Sequence, residues 1–151
     1  MRIIKFRGLR TDGKGWAYGN LLNEQTIGGV GENLSHYKYV TVIPETVGQY
    51  TGFIADKCKN NLEKEIYEGD IFRSEIEADD GDVIQYNVVV WVHQRGCFSM
   101  IPKDNYGEFI NNDLSEDPDF SWLFEDANIY DFSIDVGLTK VGNIHENKDL
   151  I

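Results

Sequence analysis

Two cysteines, two methionines, three histidines and three prolines are all that the 151 residues contain of those types. Cys58 and Cys97 stand apart, with no Cys-x-x-Cys pair, so neither a disulfide framework nor a zinc site is expected. Two ordinary reduced thiols is the reading. Basic residues are scarce as well: 14 Lys and Arg stand against 26 Asp and Glu, a formal net charge of −12. Proteins that coat nucleic acid do so by displacing counterions from phosphate with Lys and Arg, and this balance argues against that class. No apolar run approaches the roughly 18 residues of a membrane span, and the opening Met1 to Arg7 alternates charge and bulk instead of forming a signal peptide. The chain is expected to work in the cytoplasm, without a membrane. Gly28-Gly29-Val30-Gly31 has no Lys-Ser or Lys-Thr after it, which makes it a loop and not a phosphate cradle. None of the serines has the Gly-x-Ser-x-Gly setting of a nucleophile elbow.

What is abundant is aromatic and acidic. Three Trp, eight Tyr and eight Phe supply large side chains for a core, and a domain of this length buries about two thirds of its unfolded surface. The charge is unevenly placed. Arg2, Lys5, Arg7, Arg10 and Lys14 all fall in the first fourteen positions, whereas Asp104 to Thr139 holds ten acidic residues and no basic one.

Periodicity points to strands. Arg2 to Arg7 reads as a strand with Ile4 and Phe6 on one face and Lys5 and Arg7 on the other. Thr11-Asp12-Gly13-Lys14-Gly15 supplies a hairpin turn, and Trp16, Tyr18 and Leu21-Leu22 form the returning strand, with Gly19 at a bulge or close approach. His36 to Ile43 is rich in β-branched and aromatic residues and ends at Pro44. The clearest alternation is Ile84, Tyr86, Val88, Val90 and Val92, within Val83 to His93. Because Val89 and Trp91 are apolar on the opposite face, that strand is expected to be covered on both sides or to meet another subunit. Gly96 breaks it, and Cys97 to Ile101 is its expected partner. Beyond Pro102 the pattern loosens. The cluster Phe120, Trp122, Leu123 and Phe124 there reads as a short amphipathic helix or an apolar plug, and Lys140 to His145 as a closing strand.

Catalysis would need titratable groups held together with shifted pKa values. Glu65, Glu68 and Asp70 flank a turn, where carboxylates commonly serve capping, and Gly69 gives the turn its backbone freedom. Asp70 is expected to accept backbone N–H groups as the chain enters the strand at Ile71. His93 and His145 end expected strands and, with an aspartate, are the one combination that would suggest a divalent metal; their spacing carries no ligand motif. No catalytic residue, metal or cofactor is assigned.

Several stretches taken together identify a family. "QYTGF" at 49–53, "KEIYEGDIF" at 64–72 and "VGNIHEN" at 141–147, preceded by "IKFRG" and "GWAYGNL", closely resemble the YopX family of phage and prophage proteins, in the family's order and over nearly the whole chain. The residues carrying the likeness include Tyr50, Thr51, Gly52, Ile66, Tyr67, Glu68, Gly69, Asp70, Gly142 and Asn143, read as structural. The family's tight Asp-Lys-Asn-Gly turn is replaced by Asp56 to Glu63 without the glycine, so a longer hairpin tip is expected here. The resemblance implies an all-β, β-dominated fold with a minor helix: an amino-terminal β subdomain (about 1–54) packed on a carboxy-terminal SH3-like barrel (about 64–151), the whole forming a single YopX-like domain. It also implies a bacterial host and brings no assigned activity.

Three functional expectations remain. The first is a non-enzymatic interaction or assembly protein, homo-oligomeric or bound to a protein partner through Val89, Trp91, Trp122 and Phe124, since aromatics anchor such contacts. The second takes the acidic tract as a mimic of DNA phosphate directed at a host DNA-binding protein. The third, set against by the net charge, is nucleic-acid binding through the basic first strand, with Trp16 and Tyr18 as stacking platforms.

Overall fold

The computed structural model of the chain describes residues 3–29, 38–55, 57–58, 64–76, 81–93, 95–112 and 138–151. It is β-dominated, with eleven strands and one α-helix among the described residues. The chain divides into two compact units, Met1–Phe53 and Ile54–Ile151.

In the first unit, β1 (Phe6–Leu9), β2 (Trp16–Asn23), β3 (Thr26–Gly28), β4 (Tyr39–Thr41) and β5 (Gly48–Ile54) run antiparallel in the order β4-β3-β2-β1-β5. The expected hairpin joins β1 to β2, closed by the Arg10 N–H donating to the Gly15 carbonyl at 3.0 Å. Gly19 lies at a close approach: a Cβ there would overlap the Gly28 carbonyl oxygen. The core is small, consisting of Ala17, Ile27 and Val42 with Phe6, Leu21, Val40 and Val47 around them. Leu9 and Thr46 tie its edge, the Thr46 hydroxyl accepting the Leu9 N–H at 2.8 Å and donating to the Ile43 carbonyl at 2.7 Å.

Two expectations for this unit are corrected. The first strand begins at Phe6, not Arg2, and Ile3 and Ile4 are exposed. Arg7, on the face opposite Phe6 as its alternation places it, is buried with its guanidinium 4.6 Å from the Trp16 ring centre. Cation–π contact with a large ring gives a buried arginine a favourable place. Within His36 to Ile43 only Tyr39–Thr41 forms a strand, residues 36–37 lying outside those described, and Pro44 opens a single 3-10 turn.

The second unit contains β6 (Lys57–Cys58), β7 (Glu65–Tyr67), β8 (Asp70–Ile76), β9 (Val83–Val92), β10 (Cys97–Pro102), β11 (Thr139–Asn143) and the helix α1 (Lys103–Asn112). Five of these strands make an open sheet in the order β10-β9-β8-β11-β6. Every neighbouring pair is antiparallel except β11 with β6. The described strands form two sheets and do not close into a barrel. The expected closing strand is present as β11, which returns beside β8.

The period-two face of β9 supplies the core: Val88, Val90 and Val92 pack with Ile71 and Ile101, and Tyr86, Tyr106, Phe109, Val141, Ile144 and Leu150 border them. Burial of that face fades toward the start of β9, where Ile84 is 52% exposed. Ile84 is therefore not part of the buried face that its alternation suggests. The helix is at 103–112, upstream of the cluster around Phe120 to Phe124, which lies outside the described residues. Tyr106 and Phe109, three apart on one face of α1, pack it onto the core. No described helix is long and apolar enough to cross a membrane.

Candidate functional site

The densest polar arrangement in the second unit surrounds the Glu68-Gly69 turn. Asp70 is fully buried, and its Oδ2 accepts the Tyr67 N–H at 2.8 Å, as expected for a carboxylate at a chain reversal. The same oxygen meets Lys140 Nζ at 2.7 Å, and that ammonium also donates to the Glu65 carbonyl at 2.8 Å. Both side chains are almost completely removed from water. An ion pair so buried holds only when each partner keeps the other compensated. Lys140 thereby joins β11 to β7 and to the turn before β8.

Gly69 explains why the turn passes so close to β11. Its φ of 82° lies in the left-handed region, its N–H donates to the Val89 carbonyl at 2.8 Å, and its carbonyl accepts the Ile144 N–H at 2.9 Å. A Cβ there would stand 3.3 Å from the Ile144 side chain. Glycine removes both the strain and the crowding.

The "VGNIHEN" stretch is a second wired turn. Asn143 Oδ1 accepts the N–H groups of both His145 and Glu146 at 3.0 Å, while Asn143 Nδ2 donates to Glu146 Oε2 at 2.7 Å. Asn147 Oδ1 in turn accepts the Asn143 N–H at 3.0 Å. Asn147 lies so close over Gly142 that a Cβ on Gly142 would collide with its amide. This is asparagine acting as a local backbone mimic, with glycine making room. In the first unit the Thr51 hydroxyl of "QYTGF" accepts the Phe53 N–H at 3.2 Å, and Tyr50 and Thr51 are buried. Ile66 and Tyr67 are buried too, whereas Gly52 is exposed.

Titratable side chains outside this network have separate neighbours. Glu65 accepts the Tyr67 hydroxyl at 2.7 Å. Glu68 lies near Tyr106, whose phenol is pushed up by burial and then by that carboxylate. His93 is exposed at the end of β9, edge-on to Trp91 with ring centres 6.4 Å apart, whereas His145 lies beside Gly69. Among the described residues no group of three or more His, Cys, Asp and Glu is placed to hold a metal ion. Burial raises the Cys58 thiol, with Lys140 and Lys64 acting against it.

The expected interface residues separate as well. Val89 is fully buried, paired across the ladder with Met100, so it offers no surface to a partner. Trp91 remains partly exposed, packed at 4.9 Å against Phe98. Trp122 and Phe124 lie outside the described residues, as does most of the acidic tract; Asp104 and Glu108 are its members on α1. In the first unit, Lys5 lies 5.4 Å from the Tyr18 ring centre and Arg7 over Trp16, so cations of the same chain already cover both expected stacking platforms. Sequence reading assigns Lys140 only as the start of a strand and gives no sign of its partnership with Asp70. What sets it apart in the sequence is that it is the first basic residue after Lys103.

Compared with protein-family models, residues 5–151 match the model described as YopX protein. No curated protein matches the chain.

Proposed function

We propose, on the premise that the chain belongs to the YopX family, that it acts without catalysis, as an interaction or assembly protein of phage or prophage origin in the bacterial cytoplasm. The observation that carries this reading is Trp91. A large ring with exposed surface is held edge-on between Phe98 and His93, and ordered aromatics of this kind lose little freedom when a partner covers them. The family motifs support the same reading from the other side, because Gly69, Asp70, Gly142 and Asn143 are occupied in holding turns. Nothing in that network requires a substrate.

The test is molar mass by light scattering behind size-exclusion chromatography, for wild type and Trp91→Ala at low and high salt. A complex of defined stoichiometry that tolerates salt and dissociates in Trp91→Ala is expected, as an apolar contact requires. A monomer of 17.3 kDa under every condition would remove self-association, and the partner would then be sought with Trp91→Ala as the negative control. If that variant retains every partner the wild type captures, the reading fails.

We also read the meander β8-β9-β10, with β11 returning beside β8, as the strand plan of an SH3-like barrel. Cross-strand nuclear Overhauser effects that close the sheet between its β10 and β6 ends are expected from the full chain, and a sheet that stays open at both ends in solution would remove the reading.

A further inference from the structure

We propose that a cleft on the second sheet binds a carboxylate carried on an apolar group. The cleft encloses about 330 Å³ and is lined by Arg73, Tyr86, Thr139, Val141 and Leu150. Its floor follows from strand register. Arg73 on β8 lies directly opposite Tyr86 on β9 and directly opposite Thr139 on β11, so the three side chains form one row across three strands on the same face. The row sets a guanidinium between a phenol and a hydroxyl. Toward the core the lining turns apolar: Val141, Leu150 and the Tyr86 ring pack beside Ile71 and Val88. Outside the lining, Lys103 Nζ lies 5.5 Å from the Tyr86 ring centre.

A cation lining a mixed cleft is conspicuous in a chain of net charge −12. The arginine fork matches a carboxylate with two parallel hydrogen bonds, which a lysine does not. Arg73 at present pairs with Glu75 at 2.6 Å, with both side chains partly exposed, at 34% and 57%. A surface pair of this kind contributes little and is readily exchanged for another carboxylate. Glu75 therefore shows the geometry that an incoming anion would take over, and it competes for it. The volume is at the lower end of ligand pockets, which suits one branched or aromatic group. The same chemistry is presented by a free small acid and by the carboxy-terminal residue of a peptide. Tyr86 and Trp91 are on opposite faces of β9, so this site does not depend on the partner contact proposed above.

The test is a two-dimensional NMR titration of the full chain with four probes: hydrocinnamate, its primary amide, and a short peptide ending in leucine with either a free or an amidated C-terminus. Saturable shifts are expected around Arg73, Tyr86 and Thr139 with the free carboxylates, and binding at least about tenfold weaker with the amides. Preference for hydrocinnamate identifies a small-acid site, and preference for the free peptide identifies capture of a carboxy terminus. Arg73→Gln should cost about tenfold in affinity, and Glu75→Gln should tighten binding severalfold by removing the competitor. A residue that merely stabilised the fold would not give opposite signs in those two variants. Trp91→Ala should leave the titration unchanged. Equal binding of acids and amides, an Arg73→Gln variant that binds as the wild type does, or no shift from either acid up to about 10 mM overturns the proposal.

Discussion

Two turns of this protein use the same ion-pair chemistry in opposite surroundings. At the β1–β2 hairpin, Asp12 meets Arg10 at 2.6 Å with the side chains 43% and 25% exposed. At the Glu68-Gly69 turn, Asp70 meets Lys140 at 2.7 Å with both essentially dry. The distances are nearly equal, yet water decides what each pair does. In solvent the hairpin pair is screened and its loss is absorbed by hydration. In the interior, removing one partner strands the other as an uncompensated charge. The comparison shows that a turn aspartate read from sequence does not reveal its own importance; the packing around it does.

The largest effect is therefore expected at Lys140. Lys140→Met keeps much of the volume and deletes the charge, and it should destabilise by about 3 to 5 kcal/mol in urea denaturation, because Asp70 is left buried without its cation. Asp70→Asn in the same background keeps an acceptor for the Tyr67 N–H and removes the stranded charge. The double variant should recover part of the loss, giving a coupling of about 1 to 3 kcal/mol between the sites. Strictly additive single-variant losses would mean that the two groups act independently, and the contrast between the turns would collapse.

Next in size is Gly69→Ala. A left-handed backbone costs a side-chain-bearing residue about 1 to 2 kcal/mol, and the new Cβ presses on Ile144 at 3.3 Å. Together these should lower stability by roughly 2 kcal/mol. The unfolding slope with denaturant should stay the same, since the change is local. Asn143→Ala follows at about 1 to 2 kcal/mol, as the N–H groups of His145 and Glu146 lose their acceptor. Asn143→Asp would preserve that acceptor while setting a carboxylate against Glu146, so it should fall between wild type and alanine at acidic pH and move toward alanine at neutral pH.

Much of the fold was legible because two-residue alternation is a local signal. Val88, Val90 and Val92 could be assigned to a core from their spacing alone, and so could the pairing of β9 with the segment after Gly96. The helix was not legible. Lys103 to Asn112 contains Gly107, Asn105, Asn111 and Asn112, all poor helix formers, and only the packing of Tyr106 and Phe109 on the core explains it. The burial of Arg7 has no local signal for a related reason: alternation gives the face on which a residue lies, and the covering of that face by Trp16 is tertiary. The Asp70–Lys140 pair joins segments far apart in sequence, and the cleft row of Tyr86, Arg73 and Thr139 depends on the register of three strands. Neither relation has a local signature.

The smallest expected effect completes the contrast between the turns. Asp12→Asn removes the charge that Arg10 holds, yet the thermal midpoint should shift far less than in the Lys140, Gly69 or Asn143 variants, because both groups remain hydrated after the change. The pH dependence of this pair has a definite sign. The hydrogen bond from Arg10, then that from the Lys14 N–H, holds the Asp12 carboxyl below its ordinary value, with the slight burial acting against them. A carboxylate depressed in the folded state binds protons more readily when unfolded, so its contribution is present above the ordinary carboxylate range and is lost as acid protonates it below that range. Wild type and Asp12→Asn should differ slightly at neutral pH at low salt and converge both in strong acid and at high salt. A difference that persisted at high salt would show that the hairpin pair is shielded from solvent. The two turns would then differ in degree only, and the exposed aspartate would have to be counted with the buried one.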